Sequence, residues 1–136
     1  LCGFRSPFVK SGSVLKLLDA DDLAANVLKQ TLTRSQIALE QVDEVILGNV
    51  AQPSKAANVA RVAALKAGFP ESLPAYTVQR NCASGMEAIS TAINKILADQ
   101  ADTIVAGGTE SMSNIPFLFS GVFFNNNPFR LSLSCR

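Results

Sequence analysis

The chain has 136 residues, 48% of them apolar and 17% charged, with a net charge of +1. That balance fits one globular domain with a packed core and excludes a disordered chain. The charge offers no electrostatic basis for binding nucleic acid or an anionic membrane. No apolar run approaches the ~20 residues of a membrane span; the stretch from Ile115 to Phe124 is apolar, but Pro116 and Gly121 interrupt it.

In chain order, Leu1 to Phe4 reads as the stub of a first strand. The run Asp19-Ala20-Asp21-Asp22 supplies a helix cap and acidic first-turn residues. Leu23, Val27, Leu28 and Leu32 then recur at helical spacing, with Lys29 and Arg34 toward the end. Residues 42–50 form a short apolar run closed by Gly48 and Asn49, the pattern of a buried strand. Ala56 to Ala67 is an alanine-rich helix stopped by Gly68 and Pro70. Ala75 to Gln79 is a strand, Ser84 to Ala98 a helix, and Thr103 to Gly108 a further strand. Strands alternating with helices imply βαβ units, an α/β fold and a largely parallel sheet. From Gly121 to Arg136 no periodicity survives, so this stretch is read as the start of a loop or a foreign tail.

The helix from Ser84 carries Met86, Ile89, Ile93, Ile96 and Leu97 along one stripe. Its other side holds Ala83, Ser90, Thr91, Asn94 and Ala98, with only Glu87 and Lys95 charged. A surface helix carries more charge than that. The expectation is a helix covered on both sides, which requires more protein than this chain contains; a mildly polar surface helix is the alternative.

Cys82 stands where the strand ending at Gln79 meets this helix. The start of a helix leaves backbone N–H groups unpaired and carries partial positive charge, which favours the thiolate, the nucleophilic form of cysteine. The same donors could hold an oxyanion on a carbonyl bound to that sulfur. The bland reading is a small buried hydrophobe. If the strands are parallel, Cys82 and Gly107-Gly108 both lie at their carboxyl edge, where open α/β sheets bind ligands. Ser84, Gly85, Gly107 and Gly108 are then candidate pocket-lining residues. Glycines there admit a substrate or a neighbouring backbone, and simple helix–strand packing is the alternative. Glu110 is the acidic residue near that edge, read as a solvated or structural carboxylate rather than a general base.

Other chemistry lacks its residues. The chain has no histidine, so Cys82 has no conventional base within it, and Ser84, Ser111 and Ser113 have no partner for a triad. Cys2, Cys82 and Cys135 lack metal-ligand spacing, so no metal site is expected. No dinucleotide or phosphate-loop glycine pattern is present. Three cysteines in a domain of this size favour a reducing compartment, cytoplasm or organelle matrix. The chain starts at Leu1 rather than Met and shows no signal-peptide pattern, as a shortened chain would.

Phe4-Arg5-Ser6-Pro7-Phe8, Gly48-Asn49-Val50, Asn58-Val59-Ala60-Arg61, Asn81-Cys82-Ala83-Ser84-Gly85-Met86 and Ala106-Gly107-Gly108-Thr109-Glu110-Ser111-Met112-Ser113, in that order, resemble the landmarks of thiolases over residues 4 to about 120. The resemblance implies the N-terminal half of a thiolase-like fold over residues 1–120, a mixed, mostly parallel sheet with helices on both faces. It also implies that the family's first strand, taken as central in the sheet, is cut short. The implied activity is acyl-CoA:acetyl-CoA C-acyltransferase, by a ping-pong route through an acyl group on Cys82. The substrates are acyl-CoA and CoA, with no bound cofactor, and the complete protein is a homodimer or homotetramer.

In that family the second half carries the histidine that activates the nucleophile and a second cysteine that moves the α-proton. Neither matches anything here, and Cys135 lacks the glycine-rich surroundings of that cysteine. The expectation is therefore a chain that forms part of a longer enzyme and is inactive alone. A ketoacyl or hydroxymethylglutaryl-CoA synthase also places a cysteine at this helix start, and a non-catalytic interaction module is the reading from another class.

Overall fold

The computed structural model describes residues 2–116; Leu1, Cys135 and the whole of 117–136 lie outside the described residues. Residues 2–18 run without strand or helix, so the strand expected at Leu1 to Phe4 is not formed over residues 2–4. Helix α1 then spans Ala20–Ser35, β1 Glu44–Gly48, α2 Val59–Ala67, β2 Ala75–Val78, α3 Ser84–Leu97 and β3 Ile104–Gly108.

The sheet has the order β2-β1-β3, and both pairings are parallel. Gly48 of β1 aligns with Val78 of β2 and with Gly108 of β3, so the three strands end at one level. The strand expected to be missing from the centre leaves no vacancy there. β1 is the central strand and hydrogen-bonds directly to both neighbours, so further strands can add only outside β2 or β3. All described pairings are parallel, whereas the resemblance implied a mixed sheet.

Alternation along β1 divides the core. Val45 and Leu47 join Ala24, Ala25, Leu28 and Leu32 of α1 and Ala60, Ala63 and Ala64 of α2, closed off by Phe69 and Leu73. Ile46 points the other way, to Ala88 and Ala92 of α3, with Tyr76, Val78, Ile104 and Ala106 beside it. Helices therefore lie on both faces, as the resemblance implies.

Local chemistry sets the ends of the helices. Asp19 occupies the cap position of α1 without a side-chain cap bond. Instead Lys55 pairs with Asp19, and Lys66 of α2 reaches Asp21 and Asp22 at 2.6 Å each. These acidic residues clamp α1 to α2 rather than capping α1. Helix α2 starts three residues later than its alanine content suggests, because Asn58 caps it: its Oδ1 accepts from the Arg61 N–H at 3.2 Å. Gly68, at φ 97°, ends α2 in the left-handed conformation that glycine adopts without strain.

Candidate active site

Cys82 lies on the turn that carries the chain from the carboxyl end of β2 into α3, two residues before the first helical residue, and is a free, exposed thiol. It is therefore not the small buried hydrophobe of the bland reading. The turn passes through Asn81, whose φ of 50° is left-handed, a region that asparagine tolerates better than most residues. The N–H groups of Ala83 and Ser84 bond back to the carbonyls of Arg80 and Asn81, at 3.1 Å each. Those of Gly85 and Met86, in the first turn of α3, take no hydrogen-bond partner among the described residues, the unpaired state that the first turn of a helix leaves.

Glycines fix where α3 begins. A Cβ on Gly48 would lie 2.3 Å from the Ser84 carbonyl carbon and 2.5 Å from the Gly85 nitrogen. A Cβ on Gly108 would lie 3.2 Å from the Gly85 Cα and 3.3 Å from the Gly48 oxygen. The first turn of α3 is thus pressed onto the ends of β1 and β3, and no side chain fits between them. Of the candidate pocket-lining residues, Gly85 and Gly108 face each other's backbone, the close approach of a neighbouring backbone that the sequence left open. Ser84 is buried with its hydroxyl engaged by the turn. Only Gly107 has open space where its Cβ would be.

Glu110 has a structural role. Its carboxylate accepts from Asn49 Nδ2 at 3.1 Å, from the Val50 N–H at 2.9 Å and from the Ala51 N–H at 3.3 Å. It binds the segment leaving β1 to the segment leaving β3. The residues around it do similar work: Thr109 Oγ1 donates to the Ala20 carbonyl at 2.7 Å, and Ser111 Oγ to the Leu18 carbonyl at 2.8 Å. The stretch after β3 is a latch for the entry to α1. The Asn58-Val59-Ala60-Arg61 stretch is likewise a brace. Asn58 joins Thr77 at 3.0 Å and the Ala75 carbonyl at 3.0 Å, and Arg61 donates to the Leu73 and Glu71 carbonyls at 2.7 Å each.

Two residues beside Cys82 had no assigned role in the sequence. The Arg80 guanidinium pairs with Glu87 in the first turn of α3, and that hydrogen bond holds the Arg80 proton more tightly than usual. Arg80 lies before α3, across the strand–helix junction, so helical periodicity gives no sign of the pair. Away from this turn, the carboxylates of Asp19, Asp21 and Asp22 gather within 4.8 Å of one another, with Lys55 and Lys66 as counter-ions.

The match to known proteins covers this whole arrangement. Residues 2–126 match the model described as "Thiolase, N-terminal domain". The chain belongs to the thiolase family. It is 42% identical over 121 residues to a probable acetyl-CoA acyltransferase of Staphylococcus epidermidis, an overlap of 89% of this chain and 31% of that protein. It is 45% identical over 118 residues to the mitochondrial trifunctional enzyme subunit beta of Bos taurus, covering 87% of this chain and 25% of that one. The crystal structure of the Bacillus anthracis acetyl-CoA acetyltransferase superposes with a TM-score of 0.82 at 38% identity, over 90% of this chain and 31% of that chain. The thiolase-like α/β fold of an N-terminal half is thereby established, and the chain spans between a quarter and a third of the relatives it matches.

Proposed function

We propose that this chain is the nucleophile-bearing part of an acyl-CoA:acetyl-CoA C-acyltransferase, with Cys82 as the residue that accepts the acyl group. The observation that carries this reading is the exposed Cys82 thiol at the carboxyl edge of a parallel sheet, inside the span matched to the thiolase N-terminal domain. In thiolysis the Cys82 thiolate attacks the keto carbonyl of a 3-ketoacyl-CoA. The bond between the keto carbon and the α-carbon breaks, acetyl-CoA departs after its α-carbon takes a proton, and the acyl group remains on sulfur. The thiol of a second CoA then attacks the acyl-cysteine, acyl-CoA leaves, and the thiolate returns. The Gly85 and Met86 N–H groups point to electrostatic support for the oxyanion. Because the chain has no histidine, the group that activates Cys82 and the group that protonates the leaving carbanion belong to a longer protein.

The outward stripe of α3 supports the same reading. Met86 is 65% exposed, Ile93 53% and Leu97 77%, while the small residues Ala88 and Ala92 meet the sheet. That face fits burial against the remainder of the longer protein. The whole enzyme is read as a homodimer or homotetramer that uses coenzyme A thioesters without a bound cofactor, in a compartment reducing enough to keep Cys82 a thiol. Among the described residues no helix is long and apolar enough to cross a membrane.

The test is incubation of the full-length protein with a 3-ketoacyl-CoA and no acceptor CoA, followed by mass spectrometry. An acyl adduct on Cys82, absent in Cys82→Ala together with turnover, is the expected outcome. An adduct on another residue, or turnover by Cys82→Ala, refutes the assignment.

A further inference from the structure

The turn that holds Cys82 is fixed unequally on its two sides. On the helix side, Ser84 and Gly85 rest on Gly48 and Gly108 with no room to shift toward the sheet. On the strand side, the two residues leading into Cys82 are held by the backbone bonds from Ala83 and Ser84, by the exposed Arg80–Glu87 pair and by one buried side chain. Ser84 is only 3% exposed. Its Oγ accepts from the Arg80 N–H at 2.7 Å and donates to the Asn81 carbonyl at 2.6 Å. A hydroxyl can donate once while it accepts, and here both functions go to the two residues immediately before the cysteine. The bonds tie the left-handed Asn81 and the preceding Arg80 to the residue seated on the sheet. Cys82 lies inside the loop so closed, with its own side chain facing out.

We propose that Ser84 is the positioning residue for the Cys82 thiol: its hydroxyl touches no substrate but sets the direction in which the nucleophile points. This rests on the reading of Cys82 as the acyl-accepting residue. The physical basis is that hydroxyl–backbone bonds of this local kind fix turns that the backbone alone leaves loose. Arg80 and Asn81 are exposed, so their backbone groups can turn to water when the hydroxyl is removed. The fold then survives while the turn gains freedom. A nucleophile displaced by about 1 Å loses up to ~100-fold in rate. Binding of the acyl-CoA, which does not depend on where the sulfur points, changes little.

The experiment compares Ser84→Ala and Ser84→Thr with the wild type in the full-length protein. It reads single-turnover acylation of Cys82, kcat and KM for thiolysis, the rate of Cys82 alkylation by iodoacetamide, and the melting temperature. Ser84→Ala is expected to lower acylation and kcat roughly 10- to 100-fold. KM and alkylation should stay within about threefold, because a small reagent free to approach from any side needs no aimed thiol. Ser84→Thr, which keeps the hydroxyl, should recover most of the loss. Acylation at the wild-type rate in Ser84→Ala overturns the proposal. So does a loss that matches an equal loss of folded protein, since Ser84 would then hold the fold rather than the thiol. Turnover by Cys82→Ala would instead remove the nucleophile assignment, whatever Ser84→Ala does.

Discussion

The two faces of the sheet are finished to different degrees. The face covered by α1 and α2 buries Leu28, Leu32, Val45, Leu47, Phe69 and Leu73 in one continuous cluster, and Lys66 joins the two helices through Asp21 and Asp22. Among the described residues, the apolar side chains buried on the face covered by α3 are Ile46, Ala88 and Ala92. There the helix approaches on its alanines and turns its isoleucines away. Stability thus resides on one face and the candidate chemistry on the other. The small residues that let α3 lie close to the sheet also bring its first turn onto Gly48 and Gly108, which is what places Cys82 at the sheet edge.

Leu28→Ala should break the closed face most severely. Leu28 is 3% exposed within the main cluster, and truncating a buried leucine costs about 2–5 kcal/mol. Urea unfolding of the full-length protein checks this, and a loss below about 1 kcal/mol would mean that the α1–α2 face does not hold the fold. Gly48→Ala comes next. Its methyl would meet backbone, not a movable side chain, at 2.3 Å. Overpacking of this kind costs about 1–3 kcal/mol, and it acts on the first turn of α3. Acylation of Cys82 should therefore fall further than stability does. Equal activity in Gly48→Ala and wild type would show that the close seating of α3 does not govern the site.

A contrast between two forms of the protein tests the open face. Ile93→Ser in the 136-residue chain alone should leave stability within about 0.5 kcal/mol, because the side chain is half exposed. It should also weaken the binding of a hydrophobic dye. In the full-length protein the same change should cost about 1–3 kcal/mol, since a covered isoleucine is lost. Equal small effects in both would show that α3 is a surface helix and that nothing packs on its stripe.

Most of this arrangement was legible in the sequence, and what was hidden has a common cause. The strands and α-helices of the described residues follow from apolar runs and helical spacing, with ends shifted by a few residues where a cap intervenes, as Asn58 does for α2. The position of Cys82 at a strand–helix junction was legible for the same reason. The orientation of α3 was not. A helix with small residues on one side and large apolar ones on the other gives two candidate inner faces, and periodicity does not choose between them. The sheet chose the alanines because only small side chains permit the approach that Gly48 and Gly108 allow. The long-range partners of Asn49, Glu110, Asn58 and Ser111 were hidden because they stand 17 to 93 residues away. No local pattern reports a contact at that separation. Ser84 was visible as a residue near the site, but its buried, bond-forming hydroxyl appears only once the turn is closed.

The smallest effect concerns pH, and it separates the two faces once more. Asp22 holds its proton less tightly than an ordinary aspartate, chiefly because its carboxylate accepts a hydrogen bond from Lys66. A carboxyl group depressed in the folded state stabilises it fully above the ordinary value of about 3.9. That stabilisation is lost as pH falls below this value and through the folded one. The clamp between α1 and α2 should therefore loosen in acid. Denaturant midpoints measured from pH 6 down to pH 2 should fall, and Lys66→Met, which removes the partner of Asp22, should fall less steeply over the same range. The variant also leaves the carboxylate of Asp21, which is 1% exposed, without its cation. Its stability near pH 6 should thus be lower than that of the wild type, with the gap closing toward pH 2. Parallel curves for the two proteins would show that the Lys66 contacts carry no linkage. The acid sensitivity would then lie elsewhere, with Asp43 the first place to look: the Thr103 and Asp102 N–H groups hold its proton affinity down, where the β3 edge meets β1.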